Sequence, residues 1–395
     1  MNKKVILVWF RNDLRTLDNE VLANAIDKSD FIIPVYIFDP RYYTTNQFNF
    51  KNTGELRAQF VINAVYALKQ KLQHLGGDLL TYVGAPEEII PHLVQKYDVD
   101  EVYHHREIAS RETSISELVE AALWKIKRNL KHIIGHTLYH KEDLPFPIKD
   151  IPNDFNTFKK KTNKESFVRP IVKDITHVTL PPHIEKSTFP YPAPEDESWK
   201  EYGDQAALEL LAEVSANHDI HNSSFEKLTP FISNGIISAA YIYHYLQPKI
   251  TAKNKKHINA ILDILLLRDY YRFMLKKHPN CFFKSYNQSV INETIIHKWV
   301  NAQTDVPNIN QYINKLNNQG TLSQQERETI ALHFIYELEQ PWAIGAAYFE
   351  QQLLDYAPAS NYGFWAHMAG EGTSLKNNRN IEDWVKIKEQ LLEQV

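Results

Sequence analysis

Short apolar runs alternate with helical patterns over the first 130 residues of this 395-residue chain, and this alternation constrains the fold more than any other feature. Val5–Phe10 and Phe31–Phe38 are almost wholly apolar between polar neighbours, which is typical of strands buried on both faces. Three shorter runs and two helical stretches follow, at 78–83, 100–103, 132–134, 56–75 and 86–97. Strands alternating with helices predict a doubly wound parallel sheet. No G-x-G-x-x-G occurs, so nothing indicates a nicotinamide enzyme.

The pattern changes twice farther along the chain. Between Pro145 and Trp199 proline recurs nine times, which predicts a long surface connector rather than an independent domain. After Gly203 the apolar residues return at helical spacing and continue in that way to the end of the sequence. The sequence therefore predicts an α/β domain over 1–135, a connector over 136–200 and an all-α domain over 201–395.

Composition excludes several classes of protein. Hydrophobic residues make up 43% and charged residues 23%, as in ordinary globular proteins, and the net charge of -4 predicts no strong general attraction to nucleic acid. A single cysteine, Cys281, excludes an internal disulfide and a multi-cysteine zinc site. No apolar run reaches the ~18 residues of a membrane span, and no signal peptide is evident. We expect a cytoplasmic protein with no membrane partner and no metal, monomeric by default.

Several longer motifs carry a resemblance to a known family. VWFRNDLRTLDNEVLANAI near the start, LTPFISNGIIS and LLLRDYYRFMLKKHP in the helical half, and AYFEQQLLDYAPASNYGFWAHMAGEG near the end are similar to photolyases and cryptochromes. EVYHHREIASRETSISELVE resembles the DASH branch in particular. The match covers nearly the whole chain except its extreme C-terminus. It implies an α/β antenna domain followed by a helical domain that binds FAD.

The resemblance also implies a set of flavin-binding residues. An amide facing the flavin N5 atom can hydrogen-bond it in several redox states, and a partly buried ion pair would suit the edge of the isoalloxazine ring. A guanidinium can complement phosphates. In family order, the N5 amide, the ring-edge pair, the cavity arginine and the phosphate-loop residues fall at Asn361, Asp355 with Arg327, Arg268, and Lys227 with Thr229.

Each of these residues also has a plain structural alternative. Asn361 suits a turn between helices, and Arg327 with Asp355 suits a salt bridge between helices without ligand. Arg268 suits an ordinary charge on a helix surface. Thr229 before Pro230 suits a simple helix N-cap.

Two tryptophans match the inner members of the family's electron-transfer chain. Trp342 and Trp365 are 23 residues apart, as in the family pattern. The outer tryptophan is replaced by Ser289, and Tyr286 nearby would have to lose a proton on oxidation. Both tryptophans are also ordinary candidates for a buried core.

Glu107 matches a carboxylate that binds the pterin of a folate antenna in DASH proteins. A carboxylate can accept two N–H bonds from a pterin edge, so methenyltetrahydrofolate is the expected second chromophore. A surface charge after a strand is the alternative. His104 and His105 lie beside it, but without further spaced ligands they do not indicate a metal site.

Departures from the family concentrate where the DNA lesion and the cofactor would lie. The lesion-binding glutamate and the stacking tryptophan are replaced by Ile264 and Leu267, which can neither hydrogen-bond a base nor stack on it. His367 replaces a second stacking aromatic, and Gln324 with Gln325 replaces the adenine and lesion motif. The phosphate loop is changed at Phe225 and Glu226, and the ring-edge motif at Ala357. Both glycines of a W-x-x-G-x-T-G-x-P motif are lost, at Ala302 and Asp305.

Three functions are compatible with these residues. The first is a cryptochrome-like photoreceptor in which FAD is photoreduced through Trp365 and Trp342. The second is a light-driven photolyase that repairs pyrimidine dimers in single-stranded DNA, which the substitutions at 264, 267 and 367 disfavour. The third is a flavin-free binding protein on the same fold, which the altered phosphate loop favours. The lysines at 159, 160, 253, 255 and 256 are candidates for DNA binding or for a solvated surface.

Overall fold

A five-stranded parallel sheet forms the core of the N-terminal half. The computed structural model describes residues 3–216, 223–284, 290–373 and 379–393. The strand order is β3-β2-β1-β4-β5, so the chain winds outward from the central β1 in both directions. The strands are β1 Val5–Phe10, β2 Phe31–Phe38, β3 Leu80–Val83, β4 Glu101–His105 and β5 Asn129–Ile133. Val5 pairs with Phe31, and Ile6 pairs with Glu101. The predicted doubly wound parallel sheet is confirmed, although β5 begins three residues earlier than the apolar run at 132–134.

Local signals in the sequence fix the helices that cover this sheet. These helices are α1 Glu20–Lys28, α2 Glu55–His74, α3 Pro86–Lys96 and α4 Ser110–Lys125. Asn19 caps α1, because its side chain accepts the N–H of Leu22 at 3.0 Å. Pro86 occupies the first turn of α3, where its missing N–H costs nothing. One apolar cluster of sheet, α3 and α4 side chains, including Leu7, Val102 and Val119, is fully buried.

The proline-rich connector is more ordered than its composition suggests. It contains α5, Phe155–Glu165, whose N-cap Asp154 accepts the N–H of Thr157 at 2.7 Å. Phe158 on this helix is fully buried. A capped helix with one anchoring aromatic residue therefore forms between the prolines, where the sequence pattern predicted no helix. The connector over 136–200 stays a prediction.

Helices make up most of the rest of the chain, as predicted. They are α6 Asp204–Ala216, α7 Ser223–Ser233, α8 Ala239–Leu246, α9 Lys255–Lys277, α10 Glu293–Val300, α11 Pro307–Gln319, α12 Gln324–Leu332, α13 Trp342–Gln352, α14 Pro358–Met368 and α15 Arg379–Glu393. Ser323 and Glu326 form a capping box at the start of α12, at 3.2 Å and 2.7 Å.

A π-helical turn, His333–Glu337, continues α12. Such wide turns are rare and are found mostly at functional sites. His333 is buried there against Trp384 of α15, with ring centroids 5.7 Å apart, and burial lowers the pKa of its imidazole to about 4. Glu337 binds Lys388 of α15 at 2.8 Å. The π-turn therefore anchors the C-terminal helix.

The chain packs as two compact units that are discontinuous in sequence. Unit 1 comprises 1–42, 59–143 and 167–266, and unit 2 comprises 43–58, 144–166 and 267–395. The division falls within α2 and α9. The domain boundaries at 135 and 200 stay a prediction, because packing units that are discontinuous in sequence do not test boundaries between continuous segments.

Among the residues with assigned structure, no helix combines the length and the hydropathy needed to cross a membrane.

Candidate functional site

A glycine in α13 provides the seat for Trp365. A Cβ atom built on Gly345 would lie 2.3 Å from Cη2 of Trp365, so only glycine allows the indole of α14 to approach this closely. Gly345 follows Trp342 by three residues, and residues at this spacing share one face of a helix. Trp342 and Trp365 are both almost completely buried. Trp365 therefore contacts α13 at Gly345, on the helix face that also carries Trp342 one turn earlier.

Aromatic rings surround Trp365. Phe349 and Phe334 contact it edge to face, with centroids 5.0 Å and 5.9 Å away. Phe334 in turn contacts Trp299, the tryptophan of the altered glycine motif, at 4.4 Å. Trp299 contacts Tyr348 at 5.3 Å. This packing excludes water and places the indole of Trp365 in a low-dielectric surrounding.

The two indole N–H groups have different partners. Nε1 of Trp342 donates to Oε2 of Glu371 at 2.9 Å. Nε1 of Trp365 is buried and has no hydrogen-bond partner among the described residues. Glu371 was not among the predicted site residues, since its contact with Trp342 depends on the path of the chain after α14.

Asn361 lies inside α14, so its alternative placement in a turn between helices is wrong. Its Nδ2 donates to the carbonyl oxygen of Ala346 at 2.8 Å, which fixes the side chain against α13. Its Oδ1 is buried and accepts no hydrogen bond from any residue that the structure describes. A buried, unsatisfied acceptor costs free energy, so it points to a missing donor. An N–H group of a ligand would satisfy it.

Arg327 and Asp355 form the pair that was predicted from their positions. Nη2 of Arg327 donates to both carboxylate oxygens of Asp355, at 2.9 Å and 2.8 Å, and both side chains are mostly buried. Nε of Arg327 is held by the carbonyl oxygen of Leu322 at 3.1 Å. Ala357, at the position of the family's second aspartate, is the N-cap of α14 and provides no side-chain cap. The pair thus bridges α12 and the chain just before α14, with one carboxylate fewer than the family pattern.

The remaining unit 2 candidate is Arg268 of α9. It is half-buried and is followed by the fully buried Asp269, so it is not an ordinary surface charge. His367 of α14 is exposed, and Leu267 of α9 is half-buried. Leu267 has no aromatic ring to replace the stacking tryptophan of the family pattern.

Lys227 and Thr229 lie in unit 1, whereas Asn361 belongs to unit 2. Both lie within α7, which begins at Ser223, so Thr229 is not a helix N-cap. Its hydroxyl instead donates to the carbonyl oxygen of Glu226 at 2.9 Å, one turn earlier. Lys227 is exposed.

Glu107 is buried in unit 1, so its alternative placement on the surface is wrong. Its Oε1 accepts a hydrogen bond from Nδ2 of Asn12 at 3.0 Å and lies 3.2 Å from Nε2 of His136. His136 packs against His105 with ring centroids 3.7 Å apart. One carboxylate oxygen is thus already shared between two side chains of the protein.

Next to Glu107, His104 stacks on Trp9 at 5.1 Å and bonds His132 at 2.7 Å. Burial lowers the pKa of His104 well below its ordinary value, which favours the neutral ring. Within the described ranges no group of three or more His, Cys, Asp or Glu residues is arranged to hold a metal ion. Ser289 and Tyr286, the candidates for the outer electron-transfer position, lie outside the described residues.

Comparison with protein families identifies both halves of the chain. Residues 6–177 match the DNA photolyase family, and residues 261–391 match the FAD binding domain of DNA photolyase. A Gloeobacter violaceus protein named cryptochrome DASH is 30% identical over 96% of this chain and 82% of its own length. A Xenopus laevis protein of the same name is 31% identical over 96% of this chain and 79% of its own length.

The structural comparison agrees. The crystal structure of a Synechocystis cryptochrome superposes with a TM-score of 0.87 at 26% identity, covering 99% of this chain and 89% of that one. The chain therefore belongs to the photolyase/cryptochrome family. Its curated relatives are mostly DASH cryptochromes, so the predicted resemblance to a DASH-like flavoprotein is confirmed.

Proposed function

We propose that this protein is a blue-light-responsive flavoprotein in which Trp365 and Trp342 reduce photoexcited FAD. One observation carries the proposal. Trp365 lies against Gly345, one turn from Trp342, and the helix that carries Trp365 also carries Asn361 with its unsatisfied Oδ1. α14 thus carries both the proposed electron donor, Trp365, and a hydrogen-bond acceptor for the flavin, Oδ1 of Asn361. This combination suits electron transfer to a flavin and requires none of the lesion-binding residues.

The unit 2 residues fit a flavin. Oδ1 of Asn361 would accept the N5–H that the ring carries when it is reduced, and the pair of Arg327 and Asp355 would lie along its edge. Arg268 would complement charge on the cofactor. When bound, FAD supplies absorption of blue light and a one-electron acceptor. The polar side chains orient it, and Asn361 is itself held by Ala346, so little reorganisation is needed.

Buried packing favours Trp365 as the immediate donor. Phe334 and Phe349 exclude water from its ring, and its N–H has no acceptor among the described residues. An oxidised Trp365 therefore keeps its proton and is readily reduced again. Trp342, whose N–H is hydrogen-bonded, is the natural next donor.

A folate antenna is less well supported. Oε1 of Glu107 is already engaged by Asn12 and His136 in a buried position, so these residues do not fit a pterin as they stand. Binding of methenyltetrahydrofolate would have to displace one of them. No energy-transfer step is derived from this site.

Single-stranded DNA is the proposed macromolecular partner, without base-specific readout. Lys253, Lys255 and Lys256 are exposed around the start of α9, and Lys160 is exposed on α5. Such lysines contact phosphates and carry no sequence information. Binding that weakens steeply with added salt is the expected behaviour.

The absorption spectrum before and after blue light tests the main proposal. Protein reconstituted with FAD should show flavin bands that bleach under illumination with an external electron donor. Trp342→Phe should bleach more slowly, by about tenfold or more, because the hole on Trp365 then has no neighbour to refill it. Trp124→Phe, which changes an exposed tryptophan of α4, is the matched control.

Equal bleaching rates in parent and Trp342→Phe would disprove the electron path. Protein that stays colourless after addition of FAD would favour the flavin-free alternative. Loss of dimers from a damaged single-stranded oligonucleotide, under light and with reduced flavin, would instead establish the photolyase alternative.

A further inference from the structure

We propose that Glu371 accepts the indole proton of Trp342 when that tryptophan is oxidised, and so makes Trp342 the end of the electron-transfer path. The inference rests on the proposed function, in which a photoexcited oxidised flavin is the electron acceptor. It concerns a residue to which the family resemblance assigned no role. The carrying observation is the hydrogen bond from Nε1 of Trp342 to Oε2 of Glu371 at 2.9 Å.

Backbone geometry fixes the position of Glu371. Helix α14 ends at Met368, and Gly370 then adopts a left-handed conformation with φ of 67°. The N–H of Gly370 donates to the carbonyl oxygen of His367 at 3.0 Å, and the N–H of Glu371 donates to that of Ala366 at 2.7 Å. These two bonds form the Schellman motif, a common and well-defined helix ending. Glu371 is thus held three residues beyond Met368, the last residue of the helix that carries Trp365.

The same turn directs the carboxylate to the start of the neighbouring helix. Trp342 is the first residue of α13, and α13 and α14 pack side by side. Trp342 is buried, whereas Glu371 is partly exposed. A proton received by Glu371 can therefore pass to solvent, which the buried indole cannot reach directly.

The electron and proton balance is simple. With FAD bound, the flavin would supply a one-electron acceptor for Trp365, and Trp342 would give one electron to oxidised Trp365. The Nε1–H bond of Trp342 would then break, and its proton would form an O–H bond with Oε2 of Glu371. The products on the protein would be a neutral tryptophan radical and a carboxylic acid.

This proton transfer stops the electron from returning. A tryptophan radical cation recovers an electron easily, whereas its neutral form must regain a proton as well. Trp365 has no acceptor for its N–H among the described residues, so of the two only Trp342 can be trapped in this way. The carboxylate thereby does the work that an outer tryptophan would do by moving the hole farther away.

Flash photolysis of FAD-loaded protein tests the inference. In the parent, the transient should be the neutral tryptophan radical, and its formation should slow in D2O. In Glu371→Gln, which keeps an acceptor for the hydrogen bond but is not a base, the radical should remain the protonated cation. Because no proton transfer traps it, this cation should recombine with the electron at least about tenfold faster than the parent radical.

Glu337→Gln is the matched control. Glu337 also accepts an indole N–H, from Trp384 at 3.3 Å. It belongs to the π-helical turn, and its indole partner is neither Trp342 nor Trp365. This variant should retain the parent transient. Circular dichroism establishes that both variants fold.

A flavin-independent arm separates this inference from the proposed function. In flavin-free protein, tryptophans are oxidised by a photoexcited ruthenium complex, and the Trp342 signal is the parent transient minus that of Trp342→Phe. A neutral radical in the parent and a cation in Glu371→Gln support the inference even if FAD photoreduction fails. A Trp342 radical that stays protonated in the parent, or that is neutral in both proteins, would overturn it.

Discussion

Asp13 illustrates how a single buried side chain makes stability depend on pH. It is 1% exposed, in the loop that follows β1, and its Oδ1 accepts the N–H of Arg11 at 2.7 Å. Burial raises the pKa of its carboxyl from 3.8 to about 6, against the lowering effect of that hydrogen bond and of Arg15. The folded protein therefore binds this proton more tightly than the unfolded chain does.

The sign of the pH effect follows from this difference. The stability contributed by the protonated carboxyl is complete below the unfolded pKa of 3.8 and is lost as the pH rises through about 6. Asp13→Asn keeps the acceptor oxygen but cannot ionise. The free energy of unfolding of the variant, relative to that of the parent, should therefore rise as the pH increases across this range. The gain should reach about 1–3 kcal/mol, since one pKa unit corresponds to ~1.4 kcal/mol.

Urea unfolding at a series of pH values measures this gain. Asp30→Asn is the control, because the exposed Asp30 also accepts a backbone N–H, that of Lys4 at 2.8 Å. A parent and an Asp13→Asn variant with parallel pH profiles would contradict the assignment.

At the level of elements, the packing of α13 on α14 depends on one missing side chain. Gly345→Ala would place a methyl group 2.3 Å from the ring of Trp365, so either the ring or the helix must move. Overpacking of this kind costs about 1–3 kcal/mol. We expect a lower free energy of unfolding by that amount, together with slower flavin photoreduction, because Trp365 is displaced.

Gly203→Ala is the control for the change in backbone freedom. Its added Cβ would meet the Cβ of Ala67 at 3.4 Å, an ordinary contact, and we expect a change below about 1 kcal/mol. If both variants lose the same free energy of unfolding, the contact with Trp365 does not limit the packing of α13 on α14.

Elements with one strong local signal were predictable from the sequence, and the others were not. β1 and β2 are unbroken apolar runs, so their burial and parallel pairing followed directly. α5 was missed because its buried face consists mainly of Phe158 between prolines. The apolar spacing over the π-helical turn predicts plain helix, because a single wide turn leaves that spacing unchanged. The role of Glu371 could not be predicted, because its contact with Trp342 joins residues far apart in sequence and no local pattern indicates it.

At the scale of the whole molecule, cofactor binding should be visible as stability. A ligand that binds only the folded state stabilises it by about 2.7 kcal/mol at one hundred times its dissociation constant. FAD should therefore raise the melting temperature progressively with concentration. Asp355→Asn should need about ten- to one-hundredfold more FAD for the same shift, because it removes a charged partner of Arg327.

Scanning calorimetry of flavin-free protein with added FAD makes this measurement. Lys315→Gln is the matched control, since it breaks a comparable partly buried pair, Lys315 with Glu326 at 2.7 Å, beside the same helix. An equal loss of the FAD-induced shift in both variants would indicate general damage to α12. No shift in the parent would indicate that the chain does not bind FAD.

The contact between Gly345 and Trp365 also has an evolutionary consequence. A larger residue at 345 is compatible only with a smaller or displaced side chain at 365, so the two positions should covary among relatives of this protein. Lineages that abandon light-driven electron transfer no longer need the indole, and the glycine opposite it is then free to drift. The residue at position 345 should therefore record, in descendants of this fold, whether the photochemistry is still under selection.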